Sequence, residues 1–310
     1  MKIAIGPARD FPSWHWCGGD LVPGLKSVHD VAIFRQYADL SSGRFESVVI
    51  VKKPPSGMAS SHHRSLAGGV RIVYIPVDFF KTETQIEQHS QFLRSCDVVA
   101  THCSRLDGYL LPHCRRLAHV EHYGKHVLPA MADYRPEGFV LWTGQGTHAR
   151  HAYGWYTKMV RDFRLVILSN ALDFATWDAN PGVRCIPWSE EEHLLLLGEA
   201  KAGLDIKEGD FGQMTKPPTK AQQFVASGVP TAVNRSSYSW EWFHGRGFDL
   251  ADPDDEERWF SRRYWEETRE FGLGLREEIS KERVVASYLD LLRDGPADSE
   301  KGERDDTVHF

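Results

Sequence analysis

Short apolar runs separated by polar stretches fill the first part of the chain. "KIAIG" (2–6), "DVAIF" (30–34), "SVVIVK" (47–52), "RIVYIPV" (71–77), "CDVVATH" (96–102) and "LAHVEHY" (117–123) are rich in Val and Ile and carry no helical period. Each predicts a strand. Between them, "TETQIEQHSQFLRS" (82–95) places Ile86, Phe92 and Leu93 near one face and predicts a helix. Continuous apolar strands interleaved with helices predict a mostly parallel sheet covered on both sides.

The polar "ADYRPEG" (132–138) interrupts this pattern, which then restarts. "FVLWTG" (139–144), "FRLVILSN" (163–170) and "VRCIPW" (183–188) predict strands, with a helix from His151 to Val160. "SEEEHLLLLGEAKAG" (189–203) opens with Ser189 and Glu192 in capping-box spacing, so a helix is expected over that stretch. In "KPPTKAQQFVASGVPTAVN" (216–234), Thr219 is the expected N-cap, Gly228 and Pro230 stop the helix, and a short buried strand follows. "SKERVVASYLDLLRD" (280–294) carries Val285, Tyr288, Leu289 and Leu292 on one stripe, and the polar final residues predict a loose tail.

A second α/β sheet that begins afresh after a linker predicts two Rossmann-like domains. Residues 1–133 would form the first and 134–275 the second, with 276–294 packing back toward the first and 295–310 as tail. Open sheets of this kind bind ligands at the carboxyl ends of their strands.

Composition adds bounds. The 310 residues suffice for two domains, and 41% hydrophobic with 26% charged residues describes a folded chain. No apolar run reaches the ~18 residues of a membrane helix, and "MKIAIGPARD" runs straight into a strand without a leader's apolar stretch. Cys17, Cys96, Cys103, Cys114 and Cys185 include no CxxC and read as reduced thiols, so a cytoplasmic protein is expected. The net charge of −6 is uneven. Residues 1–135 hold 16 Lys and Arg against 12 acidic residues, and residues 136–310 hold 21 against 31. The basic first half could face an anionic acceptor, such as a phosphorylated compound or DNA, or be an ordinary difference between domains.

Lys216 and Lys220 flank a helix start, where the helix dipole disfavours cations. An anion would remove that conflict, and free backbone amides with two ammonium groups suit a diphosphate; a solvated basic loop is the alternative. No GxxxxGK[ST] is present, which argues against ordinary nucleoside-triphosphate hydrolysis.

Taken in order, "CDVVATHCSRLDGYLLPHCRRLAHVEHYGKHVLP", "GFVLWTGQGTHARHAYGW", "RCIPWSEEEHLLLLGEAKAGLDI", "KPPTKAQQFVASGVPTAVN", "DLADPDDEERW" and "VVASYLDLL" resemble GT-B glycosyltransferases, especially the retaining family 4. The likeness spans roughly residues 95–293. It implies transfer of a sugar from a nucleotide-diphosphate donor, UDP-sugars among them, to an acceptor hydroxyl. It also implies retention at the anomeric carbon, and neither a metal nor a cofactor beyond the donor itself.

Carried over by position, the resemblance makes Lys216, Thr219 and Lys220 the diphosphate clamp, with Lys216 catalytic through the charge it meets. Gly144 and Gln145 stand where the family has Gly-Arg, and Arg150 is the later basic residue of that loop. Pro187 and Trp188 would face the base, though Trp188 is equally readable as a packed aromatic. The family's Glu-x7-Glu pair is replaced by Thr215 and Gln223, of which Gln223 can still bond a ribose. That replacement leaves a non-catalytic nucleotide-binding module as an alternative, with a nucleotide-sugar epimerase behind it. A glycosyltransferase acting on a hydroxylated base in DNA is a further alternative.

After the first strand comes "PARDFPSWHWCGGDL". Trp14 and Trp16 could stack on an acceptor, Gly18 and Gly19 allow close backbone approach, and His15 or Asp20 could guide the acceptor proton. A packed aromatic turn fits the same residues. His119, His122 and His126 have spacings that invite zinc, but histidines on one strand and loop seldom converge, and no metal site is expected. "DPDD" (252–255) reads as turn chemistry. "KKPPSGMASSHHR" (52–64) reads as a basic loop, solvated or touching a polyanion.

Overall fold

The computed structural model describes residues 1–55, 69–170, 177 and 180–293; most of the basic loop at 52–64 and the whole tail lie outside them. Six strands form the first sheet: β1 (Lys2–Gly6), β2 (Asp30–Ile33), β3 (Ser47–Val51), β4 (Arg71–Ile75), β5 (Val98–Thr101) and β6 (Leu117–His119). Their order is β2-β1-β3-β4-β5-β6, and every pairing is parallel. The second sheet has β7 (Val140–Gln145), β8 (Leu165–Asn170), β9 (Val183–Pro187), β10 (Ala202–Asp205) and β11 (Thr231–Val233). Its order is β11-β10-β7-β8-β9, again wholly parallel. The expectation of two α/β sheets holds.

Both faces of these strands are covered, which is why they read as continuous apolar runs. Ile3, Ile5, Val49 and Val73 point into one core layer and Ala4, Val48, Ile50 and Tyr74 into the other. The last helix, Lys281–Arg293, returns to the first sheet. Its Val284, Val285, Tyr288, Leu289 and Leu292 share a core with Ile3, Val49 and Trp14, and the Tyr288 hydroxyl donates to the Cys17 carbonyl at 3.3 Å. Before it, the long helix Arg262–Glu278 lies against the helix Thr219–Ala226.

Four local expectations are corrected. The 82–95 segment is two helices, Glu83–Gln88 and Ser90–Ser95; between them His89 bonds back to the Gln85 carbonyl and packs on Phe79 and Phe80. The strand expected to reach residue 123 ends at His119, beyond which the side chains find partners outside the sheet. The helix expected over 189–203 covers Glu190–Glu199, and Ala202 already pairs with Val140 in β10. The helix after β7 spans Gly146–Thr157, starting earlier than His151, with Gln145 as its N-cap. Among the described residues no helix is long and apolar enough to cross a membrane.

Candidate functional site

The carboxyl ends of the two sheets meet. Arg105, just beyond β5, donates to Glu241 at 2.6 Å and to the Ser236 carbonyl at 2.7 Å. Glu121, beyond β6, accepts from Gln222 at 3.0 Å and from Trp242 at 2.9 Å. Tyr109 packs edge-on against Phe211, with ring centres 4.9 Å apart. The residues of interest line this seam.

On the second-sheet side, β10 delivers Asp205 into full burial. A buried carboxylate must be paired or neutralised. Lys207 pairs it: its ammonium lies 3.0 Å from Asp205 and donates to the Ser239 hydroxyl at 2.7 Å and the Pro217 carbonyl at 2.9 Å. All three ammonium hydrogens are thereby used. The last of these bonds fixes the Lys216–Lys220 loop from below. Sequence reading missed both residues, although an Asp-x-Lys at the end of an apolar run was a visible signal.

The helix Thr219–Ala226 follows. Thr219 is not its N-cap; Pro218 holds that position and no side chain caps the helix. The first intrahelical bond runs from the Gln222 amide to the Pro218 carbonyl, so the three preceding amides have no acceptor within the helix. The Thr219 hydroxyl and the Gln223 amide nitrogen are both buried without a hydrogen-bond partner. Gly228, at φ +77, lies just past the helix, where the left-handed conformation that suits glycine closes it.

Lys220 lies over the Trp142 ring, 4.2 Å from its centre, and 3.7 Å from the free oxygen of Asp205, with its side chain about a quarter exposed (26%). Gly144, at φ +153, leaves room for it: a Cβ there would stand 2.9 Å from the ammonium. Burial pulls the Lys220 ammonium down to about 8, against the opposing pull of Asp205. Burial also lowers Lys216 to about 8; Lys220 adds to that and Asp78 resists it. Among the described residues Lys216 has no ion pair. Asp78 comes from the first-sheet side, beyond β4, and is paired with Lys52 at 2.7 Å. Its own burial favours the neutral acid, but Lys52 first, then Lys81 and Lys216, hold it ionised. His148 joins from the helix after β7, accepting from Gln213 at 2.8 Å. Burial, then Lys216 and Lys220, push it down to about 4, so it is neutral near pH 7.

The remaining expected donor residues spread along the same edge. Gln145 and Arg150 are exposed, as are Pro187 and Trp188 at the end of β9. Trp188 donates its amide to Ser169 at 2.9 Å and sets its ring 5.7 Å from His126. A surface groove of about 720 Å³, lined by Phe139, Arg161, Arg164 and Gly182 among others, lies at the opposite, amino-terminal edge of this sheet and holds none of these residues.

On the first-sheet side, the stretch after β1 is a helix, Pro12–Cys17, followed by a turn of 3-10 helix, Gly19–Leu21. Trp14 is buried, its ring beneath Gly18 and Gly19, so the two glycines accommodate it. Trp16 is half-buried, edge-on to His122 and His126, and His15 is exposed. Asp20 accepts from the Tyr123 hydroxyl and from Lys125 at 2.9 Å; burial would raise its carboxyl, but these two outweigh it and keep Asp20 ionised. The three histidines diverge: His119 pairs with Glu121 at 3.3 Å, His126 faces Glu190 and His193, and His122 turns to Cys17 and His102. In "DPDD", Asp255 caps the helix Glu256–Trp259 and Asp254 accepts from Trp155 and Arg161.

No family model matches the sequence, and no curated protein matches it. Solved structures do. The crystal structure of Anabaena Alr3699/HepE in complex with UDP and glucose is 9% identical, with a TM-score of 0.61 over 94% of this chain and 99% of that one. That of AviGT4, a glycosyltransferase involved in avilamycin A biosynthesis, is 14% identical, with a TM-score of 0.59 over 94% and 97%. A chain of the GtfA/B complex is 11% identical with a TM-score of 0.57, covering 83% of this chain; this chain spans 59% of its length. At such identities the likeness is one of fold. Two parallel sheets of six and five strands, meeting at their carboxyl ends, give this chain the GT-B fold of the glycosyltransferases.

Proposed function

We propose that the protein is a glycosyltransferase that moves a sugar from a nucleotide-diphosphate donor to an acceptor hydroxyl. One observation carries this reading: two half-buried lysines, both held near 8, flank a helix start whose first amides have no acceptor within the helix and whose Thr219 hydroxyl is buried without a partner. A diphosphate would supply both the missing negative charge and the missing acceptors. HepE was crystallised with UDP, which makes UDP the first nucleotide to test.

The chemistry follows from where charge develops. As the sugar leaves, its anomeric carbon gains oxocarbenium character and the diphosphate gains negative charge. Lys216, Lys220 and the helix amides are already aimed at that charge, and one such contact contributes ~3 kcal/mol of transition-state stabilisation. Lysines and a helix end would thus do the work of a metal, with retention at the anomeric carbon as in the resembled family. Gln223 would reach the ribose and Trp188 the base, with Gln145 and Arg150 at the donor's flank. Across the seam, Trp16 and His15 would meet the acceptor. Asp20, committed to Tyr123 and Lys125, would orient a hydroxyl better than it would accept its proton.

The test is thermal stabilisation by UDP, GDP, ADP, TDP and CDP, with and without sugar, on wild type and Lys216→Ala, followed by a donor-hydrolysis assay. One nucleotide should stabilise wild type by ~2.7 kcal/mol at 100 times its dissociation constant, and the variant should lose most of that. Binding without any hydrolysis or transfer would favour a non-catalytic module. If no nucleotide binds, the proposal fails.

A further inference from the structure

A second cluster lies apart from the lysine loop, within the first-sheet half. Cys17 comes from the helix after β1, His102 from the residue following β5, and His122 from the segment beyond β6. All three are buried, at 1%, 3% and 4% exposure. The Cys17 sulfur lies 3.6 Å from His102 Nε2 and 3.5 Å from His122 Nε2, and the three potential ligand atoms all fall within 4.8 Å of one another.

These distances have a chemical meaning. Tetrahedral zinc, with Zn–S near 2.3 Å and Zn–N near 2.0–2.1 Å, separates sulfur from nitrogen by about 3.6 Å. The tautomers agree as well. His102 Nδ1 bonds the Val120 carbonyl, so Nδ1 carries the hydrogen and the Nε2 lone pair faces the sulfur. A neutral thiol can offer its single hydrogen to His102 Nε2, and the contact with His122 then requires that ring to carry its hydrogen on Nε2, whereas a metal ion would use both lone pairs. His122 Nδ1 has no partner, so only the group facing Nε2 sets its tautomer.

We propose that Cys17, His102 and His122 form a zinc site, with one thiolate and two imidazole Nε2 ligands and a fourth position for a non-protein ligand. On binding, the ion replaces the thiol proton, which passes to solvent. The soft sulfur with two imidazoles selects zinc over magnesium or calcium. Its effect is to tie three separate segments together at the carboxyl edge of the first sheet: the helix after β1, the end of β5 and the start of the linker that crosses to the second sheet. The ion takes no part in holding the donor phosphates, so this inference stands apart from the proposed transfer reaction. Thiolate and imidazole ligands bind only when deprotonated, so zinc uptake should weaken as pH falls.

The experiment uses the whole protein without a histidine tag. Metal content is measured by mass spectrometry after purification, and metal-stripped protein is titrated with Zn²⁺ and separately with Co²⁺. The expected result is one equivalent of tightly bound zinc, a melting temperature that rises with zinc, and a thiolate-to-cobalt charge-transfer band in the near ultraviolet. Cys17→Ser and His122→Ala should each lose the tight equivalent and the thermal shift, with Cys17→Ser also losing the band. Cys114→Ser, outside the cluster, should keep all three. A wild type that binds no zinc and shows no shift overturns the proposal even if either variant fails to fold. So does uptake that survives both substitutions, which would mark ions held by surface histidines.

Discussion

Two loops leave the carboxyl edges of the two sheets, and they treat a charged side chain in opposite ways. After β1, Trp14 turns inward beneath the glycines and Asp20 has two donors, Tyr123 and Lys125. After β10, Lys216 has no ion pair among the described residues, and the Thr219 hydroxyl and Gln223 amide nitrogen are buried without partners. Buried polar groups in native proteins are nearly always paired, so an unpaired cation beside a buried hydroxyl and amide without partners points to a missing acceptor. Yet the second loop is not loosely held, because Lys207 anchors it through Pro217. It is a rigid frame around an unpaired cation, whereas the first loop pairs its carboxylate fully, although its Ser13 hydroxyl is also buried without a partner.

The sharpest way to break this comparison is Lys207→Met. It would leave the fully buried Asp205 with only the more distant Lys220 and the Ser239 hydroxyl, and removing one member of a buried ion pair costs up to about 3–5 kcal/mol. Urea unfolding should register that loss, together with a loss of nucleotide-induced stabilisation as the loop comes free. An unchanged unfolding midpoint would mean the loop is held by something else. Trp14→Ala should cost a similar ~3–5 kcal/mol as a core truncation while leaving nucleotide affinity intact; weakened nucleotide binding with normal stability would give Trp14 a ligand role instead. Lys216→Ala should lower kcat/KM for transfer ~100-fold without loss of stability, since it removes a half-buried, unpaired cation.

The smallest effect is a pH dependence of opposite sign for binding and folding. Lys216 and Lys220 titrate near 8 in the folded chain against 10.5 ordinarily. Between those values the unfolded chain holds more protons, so the free protein should gain stability as pH rises through that window. Nucleotide affinity should fall over the same range, by up to about tenfold per unit for each lysine that must be charged. Titration calorimetry and denaturant unfolding at matched pH would show the crossing. Parallel slopes would place the titrating groups elsewhere.

Much of the fold was legible because short continuous runs rich in β-branched Val and Ile favour buried strands in a covered sheet. The end of the Thr219–Ala226 helix was legible for a local reason: Gly228 and Pro230 permit nothing else there. "EAKAGLD" resisted reading, because Ala and Gly have weak strand preferences and only pairing with β7 and β11 makes residues 202–205 a strand. His89 broke a helix through contacts with Phe79 and Phe80 that no helical period reveals.

The candidate site divides along the same line. Two cations at a helix start are a local contradiction, so Lys216 and Lys220 could be picked out from the chain alone. The sequence by itself thus determined most of the strands, the helix stop and the two cations at the helix start. Only the tertiary structure decided which lysine is spent on the fold. Lys207 meets Asp205, Pro217 and Ser239 across up to 32 residues, and Asp78 faces Lys216 from the other sheet. Pairings between distant elements leave no period in a sequence, because they depend on where strands end in space.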